Sequence, residues 1–191
     1  MSGAARILVV VVMAGLAGCA GDAVRLGPDS DPRGARTLLK EAAAAGPVRL
    51  ELNQVPRAGD GTLTAERAAE QAARGIKGLD VRFAPPPAAK GPARLVLLFD
   101  PPQGVRPQRV CNVDALPAAV PGERPRRLQA IFCDGSTFVA DATSATEGRT
   151  LADLDRLVWR TTGRLFPDDW PETYGFDLFG HRVSLGASIG L

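Results

Sequence analysis

The chain has 191 residues, 45% hydrophobic and 23% charged, which is an ordinary globular balance with enough apolar mass for one domain around a buried core. Lysine and arginine number 23 against 21 acidic residues, a net charge of +2, which argues against the basic face that a nucleic-acid binder needs to displace phosphate counterions. Aromatic residues make up only 5%, too few for extensive stacking platforms, and the cations other than Lys40, Lys77 and Lys90 are arginines.

The N-terminus falls into three parts. Residues 1–6 carry one positive charge, Arg6; residues 7–14 (ILVVVVMA) are uninterrupted apolar sequence; residues 15–18 are small. This is the layout of a secretory signal. The apolar run is too short for a stable span, which needs about 20 residues. At the seam stand Leu16-Ala17-Gly18-Cys19, followed at once by polar chain. This segment resembles the lipobox of bacterial lipoproteins. The resemblance implies a signal peptide over 1–18, a diacylglycerol carrying fatty acids such as palmitate on the Cys19 sulfur, and Cys19 as the first mature residue. Each buried methylene contributes about 0.8 kcal/mol, so two or three acyl chains make a durable anchor. The rival reading is an ordinary cleaved signal with an incidental cysteine. The implied location is the cell envelope, facing the periplasm. Ala20 stands where aspartate would retain an enterobacterial lipoprotein at the inner membrane, so the expectation leans to the outer membrane.

Residues 19–32 are rich in Gly, Asp, Ser and Pro without apolar periodicity, and are expected to form a flexible tether. Residues 33–191 are then a single periplasmic domain. Within it, residues 33–45 place Leu38, Leu39, Ala42 and Ala43 on one helical face, with Gly46-Pro47 as the stop. Residues 48–55 alternate like a half-buried strand, and 57–62 read as a turn. Thr64 can cap a helix to about Ile76, whose Ala65, Ala68, Ala69 and Ala72 form a narrow small-residue face suited to close approach against a sheet. A strand over 79–84 would complete a parallel strand–helix–strand unit.

Residues 94–99 (RLVLLF) are nearly all apolar, the signature of a central strand buried on both faces. Residues 109–113 (RVCNV) read as a short strand carrying Cys111. Residues 128–133 and 136–140 flank Asp134-Gly135, which favours a hairpin with a type I′ turn. The last helix spans about 151–166, with Thr150 and Asp153 as a capping box, and Pro167 ends it. The expected fold class is α+β: a mixed sheet of about five to seven strands, with two or three helices mainly on one face.

With Cys19 assigned to lipid, Cys111 and Cys133 remain. An even pair in an exported domain suggests a disulfide worth about 3 kcal/mol, against unpaired buried thiols or a reactive site. There is no CxxC, and His181 is the one histidine, so neither a metal site nor a Ser–His–Asp arrangement is supported, and no cofactor is expected. Arg156, Arg160 and Arg164 form a stripe that fits lipid headgroups or an acidic partner, or a merely solvated helix face. The segment 166–175 gathers Asp168, Asp169, Trp170, Glu172 and Tyr174. It reads as a helix-exit loop pinned by Trp170 and Tyr174, or as a binding loop; its acids are the best available for hydrolysis.

From His181 to Leu191 the tail alternates with a strict two-residue period and a nearly bare Gly/Ser face. It is either the domain's own last strand, or an edge that pairs with a partner or a second copy or lies against the membrane. Two function classes follow. The residues favour a lipid-anchored, non-enzymatic accessory, assembly or binding module of the envelope. The alternative is an anchored periplasmic hydrolase acting on cell-wall or sugar substrates.

Overall fold

A computed structural model describes residues 23–89, 91–113, 115–120 and 126–168. The segment 1–18, Cys19, Asp169, Trp170, Glu172, Tyr174, His181 and the tail strand lie outside the described residues. In chain order the elements are β1 (Arg25–Leu26), α1 (Pro32–Ala45), β2 (Val48–Leu52), β3 (Arg57–Ala58), β4 (Gly61–Thr62), α2 (Ala65–Gly75), β5 (Phe83–Ala84), β6 (Ala93–Phe99), α3 (Pro107–Val110), β7 (Arg126–Asp134), β8 (Thr137–Thr146) and α4 (Leu151–Leu165).

The apolar run of β6 sits where its composition demands. In the main sheet, ordered β1-β8-β7-β6-β2-β5, it lies between β2 and β7. Leu95, Val96, Leu97, Leu98 and Phe99 are all fully buried, so both faces of the strand are covered. β2 runs parallel to β6 and to β5, whereas β6, β7, β8 and β1 pair antiparallel in turn. The sheet is therefore mixed. β2, α2 and β5 make the expected parallel unit, although β5 occupies only the last two residues of the expected strand. β3 and β4 close a separate small hairpin.

Three helices cover one face. Ala35 and Leu39 of α1, Ala68 and Ala72 of α2, and Leu154, Val158 and Leu165 of α4 join Leu50, Leu95, Leu97 and Phe132 in one apolar core. The small-residue face of α2 meets α4 as well as the sheet. A Cβ on Gly75 would overlap the Trp159 carbonyl and the Thr162 hydroxyl, and one on Gly163 would crowd the Gly75 carbonyl at 2.7 Å. Thr162 Oγ1 donates across this crossing to the Ala72 carbonyl at 3.2 Å. Arg36, only 7% exposed, reaches from α1 to the ends of the other two helices. Its guanidinium donates to the Lys77 carbonyl at 2.8 Å and to the Phe166 carbonyl at 3.3 Å.

The opposite face carries Val96, Leu98, Ile131 and Cys133, covered by Val105, Val110, Cys111 and Leu116. Here the sequence expectation is corrected: residues 109–113 are not a strand. Pro107 opens the short helix α3 at a position where its missing N–H costs nothing, and Cys111 caps it. Cys111 lies at disulfide distance from Cys133, with the Cα atoms 5.6 Å apart, so α3 is pinned to β7. Arg94 adds a polar clamp. It donates to the Cys111 carbonyl at 2.8 Å and the Val110 carbonyl at 3.3 Å, while Glu51 balances its charge at 3.4 Å.

Two further expectations shift. The β7–β8 hairpin turns at Gly135-Ser136 rather than Asp134-Gly135, because Asp134 is still paired with Thr137. Gly135 has φ +58° and Ser136 does not enter the left-handed region, which fits a loop of the II′ kind, with glycine first, rather than type I′. The described part of the expected tether, residues 23–32, is not a free leash. Arg25 and Leu26 pair with Thr143 and Ala142, and the Gly27 N–H donates to the Asp141 carbonyl at 3.0 Å. Asp141, 4% exposed, holds this lead-in. Its carboxylate accepts from Ser30 Oγ at 3.1 Å and from Gln129 Nε2 at 3.0 Å, leaving no room for a Cβ on Gly27. Asp31 then caps α1 by accepting the Gly34 N–H at 2.9 Å.

Candidate functional site

Of the site residues read from sequence, only the arginine stripe forms a surface within the described residues. It exists because α4 is amphipathic. Leu154, Leu157, Val158, Thr161, Thr162 and Leu165 are buried, so residues spaced by four on the other side point away from the core. The helix start is fixed by the expected capping box. Thr150 Oγ1 accepts the Asp153 N–H at 3.2 Å, and the Asp153 carboxylate accepts the Thr150 N–H at 3.0 Å. The Asp153 carboxyl is held below the usual carboxylate range, first by its hydrogen bond with the Thr150 hydroxyl, next by the one with the Thr150 backbone, with a further contribution from the nearby Arg156 charge.

Arg156 and Arg164 are exposed and Arg160 is half-buried between them. Trp159 projects from the same side, 41% exposed, with its indole Nε1 donating to the Arg74 carbonyl at 3.2 Å. Two adjoining clefts run beneath the stripe. One, of about 410 Å³, is lined by Lys77, Trp159, Arg160, Arg164, Phe166 and Val24. The other, of about 240 Å³, is lined by Arg156, Arg160, Glu147, Asp153, Thr146 and Val24. Val24 and Arg160 belong to both, so the first described residues border this face.

Trp159, Lys77 and Val24 were not singled out from sequence. A helical reading shows Trp159 three residues after Arg156 and so on the same side. Nothing local shows that Val24 docks there, because its position depends on β8, more than a hundred residues later.

The other sequence candidates are placed elsewhere. Cys111 and Cys133 sit on the opposite face of the sheet, buried in its apolar cover. Asp168, the first acid of the 166–175 segment, is half-exposed and lies 3.5 Å from Arg36 as an ion pair at the end of α4. Its role there is to balance a buried cation, and it meets no second described carboxylate in a cleft. Asp155, also on α4, is turned aside by a two-point pair with Arg67 at 2.6 and 2.9 Å. Trp170 and Tyr174 lie outside the described residues, as does His181. Among the described residues no group of three metal-ligating side chains gathers, and no helix is long and apolar enough to cross a membrane.

Comparison with protein-family models, with curated proteins and with solved structures gives no match to this chain.

Proposed function

We propose that the chain is a lipid-anchored lipoprotein of the cell envelope, held at the periplasmic side of the outer membrane, and that its domain acts as a non-enzymatic accessory or binding module. The observation that carries this reading is the placement of Cys19 directly after Leu16-Ala17-Gly18, at the end of an eight-letter apolar run, ILVVVVMA, that is too short to span. A Cys111–Cys133 pair at disulfide distance is also in keeping with an oxidising compartment. On the domain itself, an exposed tryptophan among arginines is a surface for contact, and contact is the function the geometry supports best.

Metabolic labelling tests the anchor. Cells grown with radiolabelled palmitate should incorporate the label into the wild-type chain, and Cys19→Ser should lose it, keep residues 1–18 and fractionate differently. A Cys19→Ser chain that matures and fractionates like wild type overturns the reading.

A further inference from the structure

The docking of the lead-in onto β8 fixes which side of the domain meets the bilayer. A tether reaching Pro32 would span roughly 45 Å at full extension and let the domain tumble freely. In the structure, residues 25–31 are bound to the sheet edge by backbone pairing and by the Asp141–Ser30 contact. Five peptide steps separate Cys19 from Val24, so a lipid on Cys19 stays within about 18 Å of that residue. Val24 lines both clefts under the α4 stripe. The anchor and this face are therefore adjacent, a proximity that rests on the lipoprotein reading above.

The chemistry of the face suits that neighbour. Arg156, Arg164 and Lys77 are exposed, with Arg160 between the two arginines. Of the acids that line the clefts, Asp168 is balanced by Arg36, while Asp153 in the Thr150 cap and the exposed Glu147 keep their charge, so Arg156, Arg160, Arg164 and Lys77 still leave the face positive. Trp159 presents an apolar ring with its one polar atom already bonded to Arg74. Indole rings concentrate at the headgroup level of bilayers, and arginine and lysine near an anionic surface each favour association.

We infer that the outer face of α4, with Trp159 at its centre and Arg156, Arg164 and Lys77 around it, lies against the anionic phospholipid headgroups of the membrane that holds the Cys19 lipid. The domain is thus seated on its bilayer in one orientation, with the disulfide-pinned face of the sheet turned toward the periplasm.

The test uses the full-length chain matured in cells, with Trp170→Phe so that Trp159 is the remaining indole. It is reconstituted in vesicles of brominated phosphatidylcholine, with or without phosphatidylglycerol. Flotation reports the anchor, and bromine quenching of Trp159 reports the seat. With phosphatidylglycerol present, quenching is expected to be strong. It should fall by about fivefold in the seated-to-free ratio for each of Arg156→Gln and Arg164→Gln, and fall also as salt is raised on the unaltered surface. A chain that floats yet shows no quenching, as when residues 169–191 or a protein partner fill the clefts, overturns the inference and leaves the anchor standing. Quenching that ignores phosphatidylglycerol, salt and both substitutions also overturns it. A chain that fails to float overturns the lipoprotein reading, and the inference with it.

Discussion

Leu97 and Leu98 are neighbours on β6 and equally buried, yet what covers them differs in kind. Leu97 lies under the face where α1, α2 and α4 pack, and Leu98 under a four-residue helix and its proline-rich surroundings. A long helix satisfies its own backbone and brings a whole apolar stripe, so burial alone can hold it down. A short irregular cover does neither. Its carbonyls must be met one at a time, here by Arg94, and its freedom must be curtailed by a cross-link, here Cys111 to Cys133. The same sheet is thus sealed by area on one side and by point attachments on the other.

The largest effect should come from the helical side. Phe132 is fully buried, and its ring meets that of Phe166 edge-on with centroids 5.1 Å apart. Phe132→Ala should lower global stability by about 3–5 kcal/mol, read as a lower urea midpoint with the slope unchanged. Next comes the pinned side. Replacing both Cys111 and Cys133 with serine should cost about 3 kcal/mol by releasing a closed loop in the unfolded chain. Hydrogen exchange should then rise first in residues 101–120 while α1, α2 and α4 stay protected. An even rise over both faces would erase the distinction between them.

The smallest effect lies at the start of α4, where the helical cover depends on one cap. Thr150→Ala should cost about 1 kcal/mol at neutral pH. Because the folded Asp153 carboxyl is held below its unfolded value, first by the Thr150 side chain, the stability it adds is complete above that value and is lost as pH falls through the folded one. The gap between the unfolding midpoints of wild type and Thr150→Ala should therefore narrow as the pH drops below about 4, the remainder being the pH-independent bond from the Asp153 N–H to Thr150 Oγ1.

Local pattern made most of the helical side legible. The double-sided apolar run of β6, the stripes of α1 and α4, the Thr150–Asp153 box and the alanine face of α2 are all periodic signals within one element. What escaped depends on distant partners. The run RVCNV has the composition of a strand, but Pro107 just before it opens a helix, and Arg94 then holds the carbonyls of Val110 and Cys111. Residues 24–31 have no periodicity of their own. Their order comes from Asp141 and from pairing with Thr143 and Ala142. The hairpin turn moved by one residue because the Asp134–Thr137 pair extends the ladder to its limit. In the candidate site, the spacing of Arg156, Arg160 and Arg164 was readable because α4 is regular. Lys77 and Val24 join them only through tertiary packing.

The Arg36 contacts bear on how the molecule closes during synthesis. This guanidinium stands near the beginning of the chain, but one of its acceptors, the Phe166 carbonyl, is 130 positions downstream; β1 likewise pairs with β8, more than a hundred residues later. A polypeptide emerging amino end first must hold its opening segment open until α4 arrives. Nascent fragments cut short before α4 should accordingly remain sensitive to protease along their whole length, α1 included.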